Sequence, residues 1–149
     1  MAPVIEEIVS LDGSVRLDIK GTSMMPLLRN EKDAVILEKP LNLQKFDVVL
    51  FRKKDGYIAL HRIVNITNDT YTIIGDNQYR HDSGIKKSDL IAKATVFCRG
   101  KLRINERQIR LFGAVWYSTY PLRKFLKRGF SWIKRRLSTY GRSLKNKFR

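Results

Sequence analysis

Short apolar runs, broken by turn signals about every eight to twelve residues, fill the first two thirds of this 149-residue chain. Val15, Leu17 and Ile19 alternate with polar neighbours at period two, as on a half-buried strand. Further runs lie at 34–37, 46–51, 57–66 and 70–74, and 89–97 returns as a last strand. Lys54-Asp55-Gly56 joins two of them, and an Asp-Gly pair supplies the positive φ angles of a tight hairpin. Asn68-Asp69 turns the chain again, and 75–87 reads as a polar loop. The pattern predicts a mainly β domain, a small coiled barrel or sandwich.

Composition matters where this pattern stops. The net charge is +16, but residues 1–100 carry 15 Lys and Arg against 13 Asp and Glu, whereas 101–149 carry 15 against Glu106 alone. A β domain over 1–104 followed by a basic extension over 105–149 is therefore expected. In the extension Leu122, Leu126, Phe130, Ile133, Leu137, Tyr140, Leu144 and Phe148 recur at gaps of three and four. They mark one stripe of an amphipathic helix, with Lys124, Lys127, Arg128, Arg135, Arg142 and Lys145 largely opposite. Pro121 suits the first turn, and Trp116, Tyr117, Tyr120 and Trp132 favour a water–lipid boundary. Gly129 and Gly141 weaken a single unbroken helix. The expected partner is an anionic membrane surface, ahead of docking on protein and of nucleic acid. No window reaches the roughly 18 apolar residues of a spanning helix, and residues 1–7 lack the features of a secretion signal. Cys98 stands alone, so no internal disulfide forms, and the expected location is cytoplasmic, peripheral at the membrane. Two histidines and one cysteine show no metal-ligand spacing, and no cofactor is expected.

One turn stands apart chemically. Gly21-Thr22-Ser23-Met24-Met25-Pro26-Leu27-Leu28 presents a serine between a glycine, free in φ, and a proline, fixed in φ. Serine needs a base to take its proton, and His61 is the candidate, with an unperturbed pKa near 6.5. A neutral imidazole needs its other nitrogen held, which Asp76 or Asp82 can do. The plain alternatives are a turn serine, an inert core histidine and loop-capping carboxylates. Asp76 reads equally as orienter and cap, and Asp82 as structural support of the loop. His81, in a polar loop, reads as solvent-exposed. Met24 and Met25 read as core filler or as the wall of a substrate pocket.

The order Ser23-Met24-x-Pro26, His61-Arg62-Ile63-Val64 and Gly75-Asp76-Asn77, with Asp82 six positions after Asp76, resembles the S24/S26 peptidase clan of signal peptidases and self-cleaving repressors. The likeness spans residues 14 to about 98 and is greatest to the branch in which histidine replaces the base lysine. Gly21 stands where bacterial signal peptidases carry a hydroxyl residue, so an oxyanion would lean on backbone N–H groups. With 22 residues before Ser23, no anchor and no Ala-Gly or Cys-Gly pair there, the resemblance is to the small anchorless members rather than to self-cleaving repressors. It implies a serine endopeptidase with a Ser23–His61 dyad that cuts a precursor, leader or signal-type peptide. A non-catalytic peptide-binding or regulatory module on the same fold is the alternative.

Overall fold

The computed structural model describes residues 5, 7, 9, 11–68 and 70–125. It is mainly β, with eight strands in one antiparallel sheet. They are β1 Ser14–Asp18, β2 Asp33–Glu38, β3 Val48–Arg52, β4 Ile58–Thr67, β5 Thr70–Ile74, β6 Asp82–Lys86, β7 Leu90–Arg99 and β8 Leu102–Asn105. The order across the sheet is β1-β2-β7-β3-β4-β5-β6, with β8 also on β7. Helix α1, Glu106–Ser118, follows directly.

The central strands read as unbroken apolar runs because both their faces are covered. Side chains alternate across a strand, so Val48 and Leu50 of β3 enter one core cluster with Leu28, Leu37 and Phe97. Val49 and Phe51 enter a second with Ile63, Ile73 and Ile85. Consecutive residues of β4 divide in the same way, and this division separates the two polar networks of the candidate site.

Two expectations need correction, and a third lies mostly outside the described residues. The polar stretch 75–87 contains a strand, β6, which pairs with β5 in the register Tyr71↔Ile85 and Ile73↔Asp82. Its lone apolar residue, Ile85, is buried in the second cluster, too sparse a signal for a period-two reading. Nor does the domain end at 104. The compact unit runs through Tyr117, because α1 buries Ile109 in the first cluster. Some of the basic surplus also serves the fold, since Arg110 reaches Asp47 at 3.1 Å. Lys93 bridges Asp47 at 3.4 Å and Glu106 at 2.6 Å. Finally, the predicted stripe from Leu122 to Phe148 falls almost wholly outside the described residues. In the second unit, 120–125 are helical, with Leu122 and Phe125 exposed.

Gly113 lets α1 approach β4. A Cβ there would sit 2.4 Å from Arg62 Nη1 and 2.9 Å from Cζ. That guanidinium cannot swing aside, because it donates to the carbonyls of Phe46 at 2.9 Å and Ile109 at 3.1 Å and to both oxygens of Asp76. On helix propensity alone Gly113→Ala would stabilise by about 1 kcal/mol. Disruption of the buried ion pair outweighs this, so Gly113→Ala should destabilise by about 2–4 kcal/mol in urea unfolding. A stabilised variant would show that Arg62 yields without cost.

Candidate active site

The Ser23 turn begins where β1 ends. Gly21 takes φ 99, outside the reach of most residues, and its N–H donates to Asn30 Oδ1 at 2.6 Å. The Met25 N–H donates to the Thr22 carbonyl at 3.2 Å, the Leu28 N–H to that of Met24 at 2.9 Å, and the Met25–Pro26 peptide is cis. Ser23 and Met24 line a largely apolar cavity of about 330 Å³ with Leu17, Ile19, Leu50 and Leu60. The two methionines, read alike as core filler or pocket wall, separate here. Met24 is buried in the core and walls the cavity, whereas Met25 is 38 % exposed and lies outside that lining.

The Gly75–Asn77 segment locks onto this turn. The Asn77 N–H donates to the Ser23 carbonyl at 2.8 Å, and Asn77 Nδ2 donates to that of Thr22 at 3.3 Å. Gly75 is needed for the approach, since a Cβ would lie 2.7 Å from the Ser23 carbonyl oxygen.

Asp76 is not the partner of the imidazole. Its carboxylate takes a bidentate pair from Arg62, Nε to Oδ1 and Nη2 to Oδ2, both at 2.7 Å, with both residues buried. Its carbonyl accepts from Trp116 Nε1 at 2.9 Å. The reason is strand parity: His61 and Arg62 are consecutive on β4 and point to opposite faces. Arg62 takes Asp76 beneath α1, while β6 brings Asp82 to the other face. There Asp82 Oδ2 lies 3.7 Å from His61 Nδ1, beyond hydrogen-bond length but within ion-pair reach. Of the two carboxylates that could hold the imidazole, it is thus Asp82, read mainly as support of the loop, that faces the histidine.

His61 is 2 % exposed, and its ring lies 5.8 Å from that of Phe51. Its pKa is pushed down to about 4, chiefly because burial strips water from the charged form and then because Lys53 repels it, while Asp82 pulls the other way. The imidazole is therefore neutral at any pH well above 4, the state a general base requires. Nδ1 of His61 and Oδ2 of Asp82 are both buried without a hydrogen bond, although Oδ2 forms an ion pair with Lys53 Nζ at 3.1 Å. Among the described residues no hydrogen bond joins Ser23 Oγ to His61; Ser23 instead shares its cavity with 58–60, the residues just before His61. A free enzyme often holds such pairs apart until substrate tightens them. His81 is half-buried rather than exposed, with Nε2 3.3 Å from the Tyr117 hydroxyl.

Two contributors escaped the sequence reading. Arg62 was visible only as part of the His-Arg-Ile-Val string, and Lys53, just before the Lys54-Asp55-Gly56 turn, was not read at all. Neither a protein-family model nor a curated protein matches the chain.

The lowered His61 pKa has a consequence for stability. The unfolded chain protonates this residue near pH 6.5, and the folded protein does so only near 4. Stability from this group is complete above about pH 6.5 and is lost as pH falls toward 4, by on the order of 3 kcal/mol in all. Urea unfolding at pH 7.5 and pH 4.5 should show that His61→Gln loses less stability on acidification than the unaltered chain. Equal losses would mean that His61 titrates normally.

Proposed function

We propose that the protein is a serine endopeptidase of the S24/S26 type, with Ser23 as nucleophile and His61 as base. The observation that supports this best is a buried, neutral imidazole with its Nδ1 3.7 Å from Asp82 Oδ2, on the strand whose preceding residues, 58–60, line an apolar cavity with Ser23. With Nδ1 directed at the carboxylate, Nε2 is the atom that takes the Ser23 proton. Ser23 Oγ bonds to the peptide carbonyl carbon, the C–N bond breaks, and the imidazolium returns the proton to the leaving amine. Water then hydrolyses the acyl-enzyme with His61 again as base. Asp82 orients the ring, and Asp76 anchors Arg62 and the loop that braces the Ser23 turn.

An extended peptide fits such a site as an added strand, with an apolar side chain in the cavity beside Ser23. A precursor or leader-type peptide is the proposed substrate class. The competing reading, a peptide-binding module without catalysis, predicts an unreactive Ser23.

A fluorophosphonate probe should label the protein at Ser23, and Ser23→Ala should abolish labelling. On a cleaved peptide, Ser23→Ala and His61→Ala should each lower kcat by roughly a thousandfold or more, and the double variant by little more, because the two act as a unit. Probe labelling that persists in Ser23→Ala would place the nucleophile elsewhere.

The protein is proposed to work at an anionic membrane surface. The surplus of 15 basic residues over one acidic residue in 101–149 supports this, as do Leu111 and Val115, one turn apart on α1 and 68 % and 62 % exposed. No helix among the described residues is long and apolar enough to cross a membrane. The protein should co-sediment with vesicles containing phosphatidylserine and release as salt rises, each basic residue near the surface contributing about 1 kcal/mol. Indifference to anionic vesicles at low salt would overturn the membrane reading.

A further inference from the structure

We propose that Lys53 is a positioning residue for His61, competing with the imidazole for one carboxylate oxygen of Asp82. The inference rests on the reading of His61 as the base for Ser23. Lys53 Nζ lies 3.1 Å from Asp82 Oδ2, the same oxygen that His61 Nδ1 approaches at 3.7 Å. One acceptor thus faces two donors, and the ammonium is nearer.

The backbone sets this competition. Lys53 follows the last residue of β3, its N–H donates to the Tyr57 carbonyl at 2.7 Å, and its carbonyl accepts from Gly56 at 2.9 Å. The hairpin turn therefore fixes the root of the side chain. Lys53 and Asp82 are about three-quarters buried, at 26 % and 27 % side-chain exposure, so their pair is screened less than a surface ion pair. The charged groups acting on His61 are Lys53 from the β3–β4 turn and Asp82 from β6. From β3, Val49 pairs with His61 and Phe51 meets its ring, and both are apolar. Arg62 turns away to Asp76, and Lys54, Asp55, Arg80 and His81 line the cleft beside Lys53 and Asp82.

A carboxylate beside a buried imidazole ordinarily raises its proton affinity and fills the base with the proton it is meant to accept. Lys53 offsets that carboxylate. The imidazole stays neutral well into acid, where Ser23 deprotonation would otherwise fail. Once it has taken the Ser23 proton, the imidazolium is a strong acid, suited to protonating the leaving amine as the C–N bond breaks. Lys53 thus exchanges base strength for a base that is always free and an acid that gives up its proton readily.

The test uses the full chain. Lys53→Met keeps the length of the side chain and removes its charge, Lys53→Gln is a second neutral variant, and Lys53→Arg restores the cation. NMR titration of the imidazole resonances, assigned with His81→Asn, reads the His61 midpoint directly. The rate of Ser23 labelling by a fluorophosphonate probe, followed from pH 4.5 to 8.5, reads its effect on the nucleophile. In Lys53→Met and Lys53→Gln the His61 midpoint should rise measurably above about 4, with burial still holding it below 6.5, and the ratio of labelling rates at pH 5 and pH 8 should fall at least several-fold. Lys53→Arg should retain both the low midpoint and the acid-side rate. A midpoint unmoved in the neutral variants, whatever their stability, overturns the inference, and so does an equal rise in Lys53→Arg. A midpoint that moves as expected while Ser23 labels at no pH in any variant upholds the role of Lys53 and overturns the peptidase reading instead.

Discussion

The buried ion pair between Arg62 and Asp76 holds together everything near the candidate site. Two charges taken out of water are tolerated only when nearly every donor and acceptor is met. Here the guanidinium meets a bidentate carboxylate at 2.7 Å and two carbonyls, from Phe46 and Ile109. Phe46 takes φ 75, a conformation bulky residues rarely adopt, while its N–H donates to Ile63 at 2.8 Å and its carbonyl accepts from Arg62. Strand β4, the approach to β3, the Gly75–Asn77 segment and helix α1 are thus tied at one point. Gly113 and Trp116 complete it from the helix, one by leaving space and the other by donating to the Asp76 carbonyl.

From that tie the geometry of Ser23 follows. Asp76 is held by Arg62 and the next residue, Asn77, holds the Ser23 carbonyl, so the Ser23 turn rests on the ion pair through one intervening residue. The opposite face of β4 is left for a second network, in which His61, Asp82 and Lys53 meet in a poorly solvated space. In the proposed reading the division is useful. A structural pair that must not titrate is kept apart from a catalytic group that must.

Burial does two things to His61 at once. It depresses the charged form, and it strengthens the field of each remaining charge, so that Lys53 and Asp82 act on the ring more strongly than surface groups would. The outcome is decided by the difference between two opposed influences. That makes the site sensitive to single charges, and it makes a basic residue in a hairpin turn a matter of chemistry.

Much of the architecture was legible in the chain itself. Period-two alternation at 15–19, the Asp-Gly turn and the apolar runs located the strands, because such signals depend only on neighbours in sequence. The roles of Ser23 and His61 as candidates were also legible, from a serine on a Gly–Pro turn and a lone histidine in a strand. The choice between Asp76 and Asp82 was not. It depends on which face of β4 each carboxylate meets, and that is settled by the register in which β6 pairs with β5, Ile73 opposite Asp82, which the polar 75–87 stretch does not announce. The reach of the domain to Tyr117 was hidden for a similar reason. Composition counts Arg110 as surplus charge, whereas the fold brings it to Asp47, 63 positions away. Local pattern, in short-range chemistry, determined the elements and the candidate side chains of this protein; only tertiary packing, which buries one face against another and removes water from chosen charges, decided which of those side chains face each other.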